Sequence, residues 1–437
     1  MLDLWLTRAR AAYSSQDGPA LAALLSPDPT SHSFNLLKQS LQNSPTRPPS
    51  FQPLLRSSSS PFKDHRSLQD FLAAFLLYAR DSPPLPPVSP RQRDAAAAQS
   101  WERTYSLLED CFKTADRVFA QGETGWFVPT LRKLTRRLID VALAVGRTSG
   151  DPKLTRAGEA ARMLGRPMGI AASDRTSESP CKRDALFFLA NSTFRVYFAL
   201  SNLRLCDTVL NNTNNSTAVL DQYPKADRVA FLYYRGRIAL YQRRLPQARN
   251  DLRRAFALGH VEGWKQGRLI LIYLIAASLP LGYFPSPALL AHFNLTAQYY
   301  PLIPALRKGN FNLVLACLDA HQPFHLTHGN YLLLREKLEV LCWRNLARTT
   351  LWVSTNARPL PPSGPPTLAL YLLLSAARVS FPDGETLDID DVEGMCASLM
   401  EQGYVKAYIL HSKRLLVLQK GPLCGFPPVS SVGAIAG

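Results

Sequence analysis

Three histidines, His321, His325 and His328, come nearest in this chain to the spacing of a metal site. Imidazole nitrogens are common zinc ligands, but a structural site closes with a fourth donor on a shared face. Pro323 interrupts the spacing, a turn is expected before Gly329, and Asp319 is the nearest carboxylate. The set therefore reads as a polar turn. A second cluster, Asp388, Asp390 and Asp391, has the oxygens to hold a cation. Carboxylates opening a helix are already accounted for by capping and by the helix dipole. The chain has no phosphate loop, dinucleotide glycine fingerprint, GxSxG or HExxH. No metal or cofactor is expected, and the residues point to binding, not to catalysis.

The basic residues carry the remaining chemistry. Net charge is +17 and the isoelectric point about 9.7, a balance that favours acidic partners. Between Phe231 and Ile270 nine Lys/Arg residues (Arg235, Arg237, Arg243, Arg244, Arg249, Arg253, Arg254, Lys265, Arg268) face only Asp251 and Glu262. Such a run is either a groove for phosphates or an acidic peptide, or a solvated helix face. Arg235, Arg237, Arg243, Arg244, Arg253 and Arg254 are the candidate partner contacts, because guanidinium groups pair bidentately with carboxylates. Tyr233, Tyr234, Tyr241 and Trp264 are available as apolar anchors, two or more of them reading as core. Nearer the end, Lys406, His411, Lys413, Arg414 and Lys420 lie on or beside a short hairpin. Arg307 and Lys308 extend that patch, and together these seven are the nucleic-acid candidates.

The elements that must position them are legible locally. DIDDVEGMCASLMEQ (388–402) starts with the N-cap Asp388, repeats Val392, Cys396, Leu399 and Met400 on one face, and stops at Gly403. YVKAYIL then alternates as a half-buried strand should, and RLLVLQ is a more continuously apolar strand. Helix, glycine turn and strand pair make the second half of a winged helix. The helix holds five acids (Asp388, Asp390, Asp391, Glu393, Glu401) and no Lys or Arg. Phosphates repel it, so nucleic-acid binding here would be backbone-directed and sequence-tolerant.

Upstream, helices are expected over 64–80, 95–121, 127–145, 152–165, 182–211, 225–241, 245–257, 263–278, 286–293, 295–308, 310–320, 328–351 and 367–379. In 227–260, Gly236 with Ala239, and Ala248 with Ala255, permit the close approach of paired helices in a repeat stack. The tracts NSPTRPPSFQPLLRSSSSP and DSPPLPPVSPRQR read as unordered linkers. The domains expected are N-terminal helices with such linkers (1–94), a helical-repeat stack (95–327), a winged-helix part (328–425) and a flexible tail (426–437).

Seven scattered cysteines with no CxxC spacing argue against a disulfide framework or a zinc ribbon, and for a reducing compartment. MLDLWLTRAR lacks the apolar core of a secretory signal. The oiliest run, Leu269 to Leu279, falls short of the roughly 20 residues that cross a bilayer, so no membrane insertion is expected.

Longer stretches resemble a known family. YYRGRIALYQRRLPQARNDLRRAF, KQGRLILIYLIAASLPLGYFPSPALL and RKGNFNLVLACLDAHQPFHLTHGNYLLLREKLEVLCWRNL are similar to PCI-domain proteins, the family shared by the proteasome lid, the signalosome and the translation initiation scaffold. The ending DIDDVEGMCASLMEQGYVKAYILHSKRLLVLQKGPLCGFPPVSSV resembles one subgroup. It contains the PCI subunit of the nuclear transcription-coupled mRNA export complex and the related signalosome-associated twelfth subunit. The resemblance covers about 182–432. The Pro-rich insertions, the one at 359–366 included, depart from the pattern, as does Ala407 where the family often has a second wing-strand glycine.

The resemblance implies a mainly α fold, stacked TPR-like helical hairpins capped by a C-terminal winged helix. It implies a non-enzymatic scaffold that pairs with a large PCI-containing scaffold subunit and a small acidic disordered subunit. Their winged helices together would form a basic platform for RNA or DNA during mRNA export. The MPN-type deubiquitinase signature carried by some partners of such proteins is absent. A nuclear location follows, extending to the nuclear pore, with a cytoplasmic pool. The alternative is a protein-interaction subunit of the signalosome or a splicing-linked module that does not touch nucleic acid.

Overall fold

The computed structural model describes residues 2–43, 48–56, 62, 65–86, 95–176, 178–357, 364–382 and 385–432. The expected disorder of the Pro-rich tracts bears mainly on 44–47, 57–61 and 87–94, which lie outside these residues, as do 358–363 and 433–437. The chain divides into two compact units, Met1–Tyr234 and Arg235–Gly437.

In the first unit, α1 (Leu2–Ser14), α2 (Gly18–Leu24) and α3 (His32–Gln42) precede a short α4 (Gln52–Arg56). This helix falls inside the first Ser/Pro tract, which had been expected to lack order. Phe51 and Leu55 are buried there, and that apolar burial gives the segment a reason to fold. The long α6 (Ala95–Ala120) packs between α5 (Arg66–Asp81) and α7 (Val128–Ser149). Phe71, Phe75, Tyr105, Phe112, Phe119, Leu131 and Leu138 fill this core and are all but inaccessible. Gly150, at φ 68°, takes the left-handed conformation that ends α7 without a Cβ clash. The helix expected over 152–165 is instead two, α8 (Thr155–Met163) and α9 (Gly165–Ser173). Likewise 182–211 is a short 3-10 turn, α10 (Leu186–Ala199) and α11 (Leu205–Asn214), broken where Ser201 adopts φ 53°. α12 (Lys225–Tyr241) begins in this unit and has the bounds its sequence predicts.

The second unit opens on the last residues of α12 and on α13 (Leu245–Leu258). A Cβ on Gly236 would stand 2.6 Å from Leu252 Cγ. The two helices therefore approach as closely as the small residues suggested. α14 (Trp264–Ser278) packs on α13, and α15 (Pro287–His292), α16 (Thr296–Tyr299), α17 (Leu302–Lys308), α18 (Phe311–Ala320) and α19 (Gln322–Thr327) continue the stack. His325 is fully buried, its Nδ1 3.0 Å from Asn330 Oδ1, and His328 Nδ1 lies 2.8 Å from the Phe324 carbonyl. The three histidines are a hydrogen-bonded turn. No cluster of potential metal ligands occurs among the described residues.

The winged part comprises α20 (Tyr331–Ala357), β1 (Thr367–Ala369), α21 (Leu370–Ser380), α22 (Ile389–Glu401), β2 (Ala407–Leu410) and β3 (Leu415–Leu418). The sheet is antiparallel in the order β1-β3-β2, with Leu368 opposite Leu416 and Tyr408 opposite Val417. β1 corrects the sequence reading, which ran residues 367–379 as one helix. Three residues carry too little periodicity to announce a strand; pairing with β3 makes them one. β3 is central and its Leu416, Val417 and Leu418 are buried, as its apolar run implied. The fold is thus mainly helical, stacked helix pairs followed by a winged helix.

Residues 426–432, expected to be a flexible tail, are held down. Phe426 and Val432 are buried, α23 (Val429–Val432) forms, and the Lys406 N–H donates to the Gly425 carbonyl at 2.7 Å. Arg344, buried on α20, donates from Nη2 to the Pro427 carbonyl at 2.7 Å. Burial lowers its pKa to about 10, with the neighbouring Arg348 charge acting in the same direction. Gly282, at φ 78°, meets Val429 so closely that a Cβ there would fall 2.8 Å from Val429 Cβ.

Candidate nucleic-acid and partner interface

The acidic helix and the basic hairpin meet. Asp388 caps α22 by accepting from the Asp390 and Asp391 N–H groups at 2.9 and 2.8 Å, and Asp391 returns a bond to the Asp388 N–H at 2.9 Å. This reciprocal box uses two of the helix's five acids for local structure. Two others serve the wing. His411 Nδ1 lies 2.9 Å from Glu393 Oε1, and Arg414 Nη1 lies 3.3 Å from Asp390 Oδ1. His411 is 73% exposed and Arg414 44%, so both contacts are solvated and hold little stability, and the Arg414–Asp390 pair cancels charge. Backbone hydrogen bonds, chiefly from the Asp391 N–H, hold the Asp388 carboxyl below its usual pKa.

The hairpin turns through a 3-10 segment at His411–Lys413, and Arg414 sits at φ 52°. Lys413 is exposed at this tip and makes no ion pair among the described residues. Lys406 and Lys420 are also exposed and unpaired in that sense, but they occupy the other end of the ladder, where the Gln419 N–H donates to the Lys406 carbonyl at 2.8 Å. Four residue pairs separate the two groups, roughly 13 Å at strand rise. The structure brings Lys406 together with Lys420, and His411 with Lys413 and Arg414. It does not gather all five. Tyr408, 57% exposed and on the Lys406 face of β2, belongs with the first group and was not among the sequence candidates. The strand alternation, which sets Tyr408 two residues from Lys406, is the signal that finds it.

Arg307 and Lys308 are exposed in the last turn of α17, where cations complement the helix dipole. Arg307 also stands 5.3 Å from the Phe284 ring centroid. They sit on the helical stack, not on the sheet.

The arginine run has mixed duties. Arg235 grips Asp251 with two bonds, Nε to Oδ2 at 2.8 Å and Nη2 to Oδ1 at 2.5 Å, and Asp251 is buried. Arg237 covers the Tyr273 ring at 4.3 Å, and Arg243 pairs with Glu336 at 2.8 Å. Arg249 lies over Tyr283 at 3.4 Å, while Arg268 donates to the Phe293 carbonyl at 3.1 Å. Arg244, Arg253 and Arg254 are exposed. Trp264 donates to the His292 carbonyl at 3.0 Å and stacks on Phe293, whereas Tyr241 is 67% exposed. Part of the run is therefore internal packing and part is surface.

No family model matches the chain. Individual proteins do. A PCI domain-containing protein of Schizosaccharomyces pombe is 32% identical over 354 residues, 78% of this chain and 79% of its own length. PCI domain-containing protein 2 of Xenopus laevis is 30% identical over 325 residues, 72% and 76% of the two chains. The chain belongs to the PCI domain-containing protein 2 family. A Neurospora crassa protein named as a CSN12 homolog is 24% identical over 450 residues, spanning 94% of this chain and 96% of its own. For a PCI protein of this family the stacked helix pairs and terminal winged helix are the expected parts, and membership implies a role as a subunit of a complex. No helix among the described residues is long and apolar enough to cross a membrane.

Proposed function

We propose that this PCI protein is a non-enzymatic scaffold subunit of a nuclear complex acting in transcription-coupled mRNA export. It pairs with a large PCI-containing scaffold and a small acidic disordered subunit, and holds RNA or DNA without reading sequence. The observation that carries the nucleic-acid part is the position of Lys406, Lys413 and Lys420. All three are exposed, and none is spent on an internal ion pair among the described residues. Tyr408 beside Lys406 adds an aromatic face on which a base can stack. Four of the five α22 acids are engaged by the cap, His411 and Arg414, and the helix carries no Lys or Arg to reach base edges. Arg244, Arg253 and Arg254 supply an exposed basic surface for the acidic subunit. The location that follows is nuclear, extending to the pore, with a cytoplasmic pool.

Filter binding of single-stranded RNA over a salt series tests this. Affinity should fall linearly on logarithmic axes, and changing all three lysines to Glu should reduce the slope by about two, at about 0.7 per phosphate contact. An unchanged slope and affinity in the triple variant would remove the nucleic-acid role.

One observation favours a second reading, a protein-interaction subunit of the signalosome or a splicing-linked module. Arg414 is paired with Asp390 and the Glu393 carboxylate sits against His411, which leaves the wing less positive than its Lys and Arg content suggests. Affinity purification of the endogenous protein separates the two readings by which large subunits accompany it.

A further inference from the structure

In the first unit a cavity of about 330 Å³ opens between α3, the end of α5, α6 and α7. Its polar wall includes Asn35, Lys38, Gln39, Gln42, Thr104 and Arg137; no Asp or Glu among the described residues lines it. Pro83, Pro84 and Leu85 form an apolar side. We infer that this cavity binds a small phosphomonoester, its phosphate held by Arg137 and Lys38 and its short carbon part against the prolines.

Arg137 is the reason. Its Nε and Nη2 atoms are buried and have no hydrogen-bond partner among the described residues. Buried guanidinium nitrogens in folded proteins nearly always have acceptors, because stripping water from a charged donor without replacing it is costly. Asp28 lies close enough to feel Arg137, but the Thr30 N–H, which it accepts at 2.9 Å, is what chiefly lowers its pKa, and Arg137 is its smallest influence. The Tyr78 hydroxyl donates to the Pro27 carbonyl at 2.8 Å and lies near enough to Arg137 to feel its charge and a side-chain hydrogen bond. Arg137 Nε and Nη2 are still left without a partner among the described residues. Lys38 directs its Nζ at the Ser82 carbonyl and Oγ, at 2.6 and 3.4 Å, which leaves one of its three protons. Burial lowers the Lys38 pKa.

An anion with several acceptor oxygens satisfies both cations at once. A phosphate dianion matches two positive charges and the guanidinium fork better than a single carboxylate does. The cavity volume lies at the lower end for small-ligand sites, enough for a phosphate and a few carbons.

Calorimetric titration of the full chain with inorganic phosphate and with O-phosphoserine tests the site, with sodium chloride at matched ionic strength as the blank. Phosphate-dependent binding is expected in both. Tighter binding of O-phosphoserine than of inorganic phosphate is the expected result; equal affinity would overturn the ester part and leave a site for the free ion. Gln39→Glu places a carboxylate at the exposed lip without touching the core and should weaken binding at least tenfold at an unchanged melting temperature. Arg137→Met should do the same. Heat no greater than in chloride, or Gln39→Glu binding as tightly as the parent, would overturn the assignment even if Arg137→Met fails to fold.

Discussion

Replacing Arg235 by Ala separates a structural arginine from a partner-binding one. Asp251 keeps only 3% of its side-chain surface, and Arg235 supplies two short bonds to it. Removing one member of a buried pair costs about 3–5 kcal/mol, because the other charge stays desolvated. The Arg235 side chain is 26% exposed, so water partly takes its place, and about 2–3 kcal/mol is the reasonable expectation. For a unit of this size, each kcal/mol shifts the melting temperature by about 2–4 °C, so the variant should melt roughly 5–10 °C lower. Circular dichroism melts would read this directly. The double variant Arg235→Met, Asp251→Leu should recover most of the loss, since an apolar pair of similar volume costs no desolvation. Arg235→Ala melting within a degree of the parent while losing its partners would refute the reasoning and make Arg235 a docking residue.

Other expectations follow from single sites. Burial holds the His325 pKa below its ordinary value, so the folded state keeps it neutral while the unfolded chain protonates near pH 6.5. Its contribution is complete above that pH and declines as pH falls toward the folded pKa; melts between pH 7.5 and about 5 should show a slope that His325→Gln reduces. Gly282→Ala, which combines φ 78° with a contact at 2.8 Å to Val429, should destabilise by about 1–3 kcal/mol in chemical denaturation, whereas Gly165→Ala, with nothing within 4 Å, should not. Thiol reagents should modify Cys317 and Cys424 in the native protein, the other five cysteines being buried; labelling of Cys111 or Cys342 without denaturant would contradict the packing.

Much of the architecture was readable because its signals are local. Asp388 announces the start of α22, Gly403 its end, and the alternation of residues 404–410 gives β2 its face. The bounds of α12 follow from Pro224 and from a run in which Gly236 alone disfavours helix. What stayed hidden depends on residues far apart. β1 exists because Leu368 finds Leu416, and the break after Ala199 has no glycine or proline to mark it. The site shows the same division. Composition located the positive charge, but only the fold shows that Glu393 and Asp390 meet His411 and Arg414, that Arg235 is committed to Asp251, and that one ladder separates Lys406 from Lys413.

The strand order of the winged part bears on how the chain matures. During synthesis α5, α6 and α7 emerge in succession and can pack on one another at once, since each touches its sequence neighbour. Thr367–Ala369 cannot: its partner is β3, which follows only after two more helices. Until residues 415–418 are made, β1 has nothing to pair with and Leu368, buried in the finished fold, stays uncovered. A stall or nonsense codon between positions 370 and 415 should therefore yield a soluble, folded first unit attached to a segment that recruits chaperones. Released chains truncated on either side of β3 would show the difference as an abrupt gain in protease resistance.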